Sequence, residues 1–263
     1  MLELYPLRFR QWSPTGRART ANVLRGAFGS ALKRLDENAY REFFTPTAQS
    51  IPRMEAREQS PSGLPGCSPS GLKDLPRPFV FRLRENEIGI NLFRISSLDL
   101  VCRVMLDLDL VVSAQPALLR LSLAAPSVGI TENARRLRIR FLTPTELKGA
   151  HVPDFGPLLA RIRDRISTLR ALYGAGPLDL DFRAFRERAD CVSMTRCELQ
   201  TVEEERVSKH TGQRHPIGGF TGFAEYEGGL AEFIPFLEAA RWTGVGRQTV
   251  WGKGEIGVEL LHD

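Results

Sequence analysis

The segment SKHTGQRHP gathers Lys209, His210, Arg214 and His215 within seven residues. Histidine has the unperturbed pKa suited to proton transfer near neutral pH, and neighbouring cations suit a phosphate whose charge grows in a transition state. The same basic, polar segment is equally equipped to grip a nucleic-acid backbone without any chemistry. Both readings stand at this point. A second concentration lies in GVGRQTVWGKGEI, residues 244–256, where Gly244, Gly246, Gly252 and Gly254 are interleaved with Arg247 and Lys253. Successive glycines let backbone amides approach a phosphate with no β-carbon in the way, or they serve a tight connection between a helix and a strand. The G-x-x-x-x-G-K-[ST] order is absent and the segment precedes a terminal strand, so neither a P-loop nor a dinucleotide fingerprint is present.

Metal chemistry finds few ligands. The only histidines are His151, His210, His215 and His262, and a multi-histidine site would need most of them. Cys67, Cys102, Cys191 and Cys197 form no C-x-x-C pair, and the five residues between the last two match no common zinc spacing. Reduced thiols, no metal and no cofactor are the expectation.

The remaining composition of the 263 residues is globular, with 42% hydrophobic and 25% charged residues, which excludes global disorder, collagen and a disulfide-stapled miniprotein. No stretch approaches the roughly 18 consecutive apolar residues of a membrane span, and the opening MLELYPLRFRQ lacks the apolar core of a signal peptide. A cytoplasmic protein without a membrane partner is expected. The net charge of +5 is unevenly spread: residues 1–150 hold 22 Lys and Arg against 14 Asp and Glu, whereas residues 151–263 hold 14 against 17. A basic first half suits a polyanionic partner.

The elements that must position these groups follow from periodicity. LELYPLRFR reads as a strand disturbed by Pro6, which places it at a sheet edge. Residues 19–35 carry Val23, Leu24, Phe28, Ala31, Leu32 and Leu35 at helical spacing, with Thr20 as a candidate N-cap. Gly26 and Gly29 lie inside that helix at a cost of roughly 1 kcal/mol each relative to alanine, so something is expected to approach the backbone there. The proline-rich stretch 45–78 reads as a long surface loop. PFVFRLR and IGINLFRI form a strand pair, residues 97–112 fit either a buried helix or a long strand, and LLRLSLA is a further strand. RRLRIRFL alternates strictly, with Leu137, Ile139 and Phe141 inward and Arg136, Arg138 and Arg140 outward.

Residues 154–173 form an amphipathic helix starting near Asp154 and capped by Gly174. Strands over 191–207 and 216–227, a helix over 230–242 and the strand EIGVELL complete the chain. From RRLRIRFL onward the order is strand, helix, strand, strand, helix, strand, the split βαβ order of a ferredoxin-like domain, and the first half permits the same order. The fold class is therefore α+β, with tandem ferredoxin-like (RRM-like) domains over 1–133 and 134–263.

Several segments together carry a resemblance: FLTPTELKG, ISTLRALYG, ERVSKHTGQRHPIGGFTGFAEYEG, LAEFIPFLEAA and the Gly-rich loop, joined in the first half by LRGAFGSALKRL and PRPFVFR. They resemble the CRISPR precursor-RNA processing endoribonucleases of the RAMP superfamily. The resemblance implies RNA held across two ferredoxin-like domains and metal-independent cleavage of a CRISPR repeat by attack of the 2′-hydroxyl on the adjacent phosphate. CRISPR repeat RNA and subunits of a CRISPR effector complex are the implied partners, and no DNA is expected.

Many members of that family place a catalytic histidine on or near the first helix, but residues 1–150 contain none and Ser30 follows Gly29 instead. Tyr40 and Lys33 lie nearby in sequence. The candidates for catalysis are thus His210, His215, Tyr40 and Lys209. The candidates for RNA contact are Arg25, Lys33, Arg206, Arg214, Gly246, Arg247, Gly252, Lys253 and Gly254. The alternative implied by the missing histidine is an RNA-binding subunit that does not cut. Trp12, Trp242 and Trp251 have rings able to stack on bases, but Trp242, at the end of an amphipathic helix, reads as core, and none of the three is assigned to RNA.

Overall fold

The computed structural model describes residues 1–11, 21–46, 75–84, 87–124, 134–147, 149, 152–203, 205–207, 214–216 and 218–261. Thr20 and nearly all of the proline-rich stretch lie outside these residues. Contacts divide the chain into two compact units: residues 1–121 with 164–179, and residues 122–163 with 180–263.

The first unit runs β1 (Leu2–Gln11), α1 (Ala21–Leu35), α2 (Glu37–Phe44), β2 (Phe79–Leu83), β3 (Ile88–Leu92), α3 (Leu98–Leu106), β4 (Leu110–Val112) and β5 (Leu119–Leu121). Its antiparallel sheet has the order β2-β3-β1-β4, with β5 also pairing β1. That is the split βαβ arrangement. Residues 97–112, ambiguous by pattern, divide into α3 followed by the short β4.

The edge position expected for the first strand is corrected: β1 is internal, with β3 on one flank and β4 and β5 on the other. Pro6 is tolerated because those two partners share the second flank. β5 pairs Leu2–Leu4 and β4 pairs Phe9–Gln11. Arg8 receives the Ser113 amide on that flank. Pro6, two residues earlier, aims its missing N–H the same way, into the gap between the two partners.

Helix α2 was not anticipated from the pattern. Asp36 caps it, its side chain accepting from the Ala39 amide, and it buries Ala39, Phe43 and Phe44. Gly29 answers the expectation that something approaches α1: a β-carbon there would lie 3.1 Å from the Phe44 ring. Gly26 does not, since it faces open space. Phe28 is fully buried with ring centroids of Phe43, Phe44, Phe79 and Phe81 between 5.2 and 6.3 Å from its own. Truncating such a ring to alanine costs about 3–5 kcal/mol, so Phe28 anchors this unit.

The second unit contains β6 (Arg136–Thr145), α4 (Phe155–Tyr173), α5 (Phe182–Asp190), β7 (Ser193–Val202), β8 (Glu205–Val207), β9 (Arg214–Pro216), β10 (Gly219–Glu227), α6 (Ile234–Thr243) and β11 (Ile256–Leu261). From Asp164 onward α4 is counted with the first unit. The four-stranded sheet has the order β11-β6-β10-β7, and β8-β9 is a separate two-stranded ladder inserted between β7 and β10. Setting that ladder and α5 aside, the ferredoxin-like order is repeated. Leu137, Ile139 and Phe141 are buried, as the alternation predicts. Their side of the sheet joins a core in which Tyr226 donates to the Pro153 carbonyl at 2.6 Å and Phe155, Phe185, Phe233 and Phe236 pack ring to ring.

Candidate nucleic-acid interface

In the first unit, α1 turns at Asp36 into α2 and brings distant residues into one cluster. Gly26, Ser30 and Lys33 are all exposed and follow one another at helical spacing on α1. Lys33 Nζ lies 5.8 Å from the centroid of the Tyr40 ring. Tyr40 stacks on Phe44 at 5.0 Å and 19°. The guanidinium carbons of Arg25 and Arg77 stand 5.1 and 5.9 Å from the Phe44 centroid, and Arg77 Nε donates to the Phe44 carbonyl at 3.3 Å. Three cations thus converge on two stacked rings, an arrangement cation–π attraction favours. The structure brings together Arg25, Lys33 and Tyr40 and adds Phe44 and Arg77. Phe44 was legible only through the D-x-x-A cap and the apolar spacing of DENAYREFF, and no signal in the sequence pointed to Arg77.

The candidate segment of the second unit forms the β8-β9 ladder, in which Arg206 is the register partner of His215 and Val207 that of Arg214. Lys209 and His210 fall between these strands, outside the described residues.

The Gly-rich loop between α6 and β11 is fastened to the end of β6. Val245 donates its amide to the Gly254 carbonyl, Arg247 to Glu146 and Gly254 to Pro144, at 2.8, 3.0 and 3.1 Å. The Glu255 amide meets Thr143 Oγ1 at 2.9 Å. With φ of +78° and +68°, Gly246 and Gly254 occupy left-handed backbone, and β-carbons there would stand 2.3 Å from the Glu146 oxygen and 1.9 Å from the Val245 oxygen. Gly252 closes the intervening turn. These glycines answer a demand of backbone packing, and several loop amides point inward.

Lys253 is buried, 4% exposed, and its Nζ donates to the Gly218 carbonyl at 3.4 Å. Arg247 projects outward and pairs with Glu146 at 2.7 Å. Among the described residues no group of three or more His, Cys, Asp or Glu is placed to hold a metal ion, and no helix is long and apolar enough to cross a membrane.

Burial sets the unusual ionisations. Tyr226 is pushed well above the ordinary phenol range by burial, with Cys197 and Asp154 adding to the effect. Tyr173, whose hydroxyl donates to the Pro76 carbonyl at 2.9 Å, is also raised by burial, against the pull of Arg94, Arg77 and Arg165. Burial lowers Arg165 to about 10, aided by Arg82.

The family model described as CRISPR-associated endoribonuclease Cas6 matches residues 139–256, from within β6 to the first residue of β11. Among solved structures, a Cas6 product complex superposes with a TM-score of 0.58 and 16% identity, covering 98% of this chain and 99% of that one. Thermus thermophilus Cas6 gives 0.53 and 15%, covering 98% of each. A partial Cas6-RT-Cas1–Cas2 complex gives 0.54 and 10%, covering 98% of this chain and 46% of that one. At such identities these likenesses speak for the fold alone. No curated protein matches the chain significantly. Residues 139–256 are thus similar in sequence to the CRISPR-associated endoribonuclease Cas6 family, and almost the whole chain shares the fold of the Cas6 structures.

Proposed function

We propose that the protein is a metal-independent endoribonuclease that binds CRISPR repeat RNA and cuts it into guide RNAs. The observation that carries this reading is the family match over residues 139–256. In the reaction, the 2′-hydroxyl beside the scissile phosphate attacks phosphorus and the bond to the 5′ oxygen of the next nucleotide breaks. The products are a 2′,3′-cyclic phosphate and a 5′-hydroxyl. A base must accept the 2′ proton, an acid must supply one to the leaving oxygen, and a cation must face the developing phosphorane.

His210 and His215 are assigned to proton transfer and Lys209 to charge stabilisation, with Tyr40 beside Lys33 as a second acid and cation. Arg25, Arg206, Arg214 and Arg247 supply phosphate contacts, and Gly246, Gly252, Gly254 and Lys253 shape the loop that presents Arg247. A cytoplasmic location and association with other CRISPR proteins belong to the same reading.

One observation favours a second reading, a repeat-binding subunit without cleavage: residues 1–150 hold no histidine. Cleavage of repeat RNA by the purified protein, compared with its His210→Ala and Tyr40→Phe variants, decides between them. Loss of cutting in either variant with binding retained supports the enzyme. Tight binding by the unaltered protein with no cut supports the subunit.

A further inference from the structure

The face of the second sheet opposite its core has an ordered charge pattern that the proposed chemistry does not use. Register places Glu259, Arg138, Glu225 and Arg196 opposite one another across β11, β6, β10 and β7, and the next row on the same face is Gly257, Arg140, Phe223 and Glu198. Each guanidinium is already matched. Arg138 donates to Glu225 through Nη2 at 2.5 Å and Nε at 3.0 Å, and its Nη1 is 3.8 Å from Glu259. Arg140 donates to Glu259 at 2.6 Å, and Arg196 Nε to Glu198 at 2.8 Å. The Arg138 bond holds the Glu225 carboxyl below its usual range, so the pairing persists across the neutral range.

Three arginines against three glutamates leave this face with little net attraction for a phosphate backbone. What it offers is a ring with stacked guanidinium planes: Phe223, half-buried on the central strand β10, with the guanidinium carbons of Arg138 and Arg196 over the ring, 4.7 and 5.2 Å from its centroid. Beyond Arg140 in the same row, Gly257 presents no side chain, and Leu142 on the same face of β6 is 53% exposed. An aromatic ring bordered by charge-neutralised guanidinium planes on a central strand suits a flat, uncharged, π-faced ligand, as unpaired bases are when they stack on aromatic rings and arginine planes. The carboxylates in both rows disfavour an anionic group.

We infer that Phe223 is a stacking platform for one unpaired nucleobase of the bound RNA, flanked by Arg138 and Arg196 and bordered by Arg140. This rests on the RNA-binding reading above and names a subsite within it. The site reads single-stranded RNA, because a base held in a duplex cannot reach a sheet.

The test measures binding of single-stranded oligoadenylate and of a blunt-ended, fully paired RNA duplex of two strands to the full chain and to Phe223→Ala, Phe223→Leu and Phe223→Trp, over a range of salt. Phe223→Ala and Phe223→Leu are expected to weaken oligoadenylate binding about tenfold with the salt slope unchanged, while Phe223→Trp retains it. Duplex binding stays the same in all variants. Phe223→Leu keeps apolar bulk and separates loss of stacking from loss of folding, and thermal melting of each variant checks the fold. Equal oligoadenylate affinity in all four proteins overturns the platform, as does a loss accompanied by a shallower salt slope, which would assign the face to phosphates. Binding of CRISPR repeat RNA without any binding of oligoadenylate also overturns the platform, whereas failure of the unaltered protein to bind even the repeat RNA overturns the RNA-binding reading itself, a result distinct from either.

Discussion

A β-carbon on Gly246 would stand 2.3 Å from the carbonyl oxygen of Glu146. The backbone at Gly246 is also left-handed, and the neighbouring Arg247 amide donates to that same oxygen at 3.0 Å. The loop is thus a clasp on the end of β6, whatever it presents to a ligand.

Gly246→Ala is therefore expected to lower stability by at least about 2 kcal/mol, from left-handed strain together with the clash. Arg247→Ala should change stability by about 0.5 kcal/mol or less, because its pair with Glu146 is largely exposed, yet weaken RNA binding and flatten its salt dependence by roughly one contact. Denaturant unfolding and salt-dependent binding check the two halves of this contrast.

The two glycines of α1 should respond in opposite directions. Gly26→Ala, with nothing within 4 Å of the added carbon, is expected to raise stability by about 0.5–1 kcal/mol. Gly29→Ala must move the Phe44 ring, 3.1 Å away, and disturb the stack beneath Tyr40. A gain of stability in both variants would contradict the packing described for α2.

At alkaline pH, Tyr173 and Tyr226 should stay protonated in the folded protein beyond the usual phenol pKa of about 10. Unfolding in denaturant at pH 11 is then expected to release both phenolates as a step in ultraviolet absorbance. Between the unfolded and folded pKa values the unfolded chain binds fewer protons at these positions, so they make stability fall as pH rises through about 10. Arg165 acts oppositely, since its folded pKa near 10 lies below its unfolded one, and Arg165→Met should steepen the alkaline decline.

Much of the fold was legible because period-2 alternation is local. β6 shows this most clearly, its buried Leu137, Ile139 and Phe141 alternating with arginines. The interior position of β1 was hidden because it depends on β4 and β5, far along the chain, dividing one flank. Gly29 signalled a close approach that the sequence could not assign to Phe44, and Gly26 gave the same signal with no neighbour behind it.

The outward arginines of β6 were visible as a face, but their neutralisation by Glu225 and Glu259 depends on strand register. Lys253 is a candidate RNA contact by residue type and position, and only tertiary packing shows that it is buried.

Phe28→Ala provides a reference for the first unit, expected to cost about 3–5 kcal/mol. A much smaller loss in denaturant unfolding would contradict the five-ring core.

The most direct measurement of the proposed activity is incubation of the purified protein with CRISPR repeat RNA in EDTA, beside the same RNA carrying a 2′-deoxy nucleotide at the cut position. One cut within the repeat is expected, leaving a 2′,3′-cyclic phosphate and a 5′-hydroxyl, with no cut in the 2′-deoxy RNA. An uncut repeat, or a cut that survives the 2′-deoxy substitution, would contradict it.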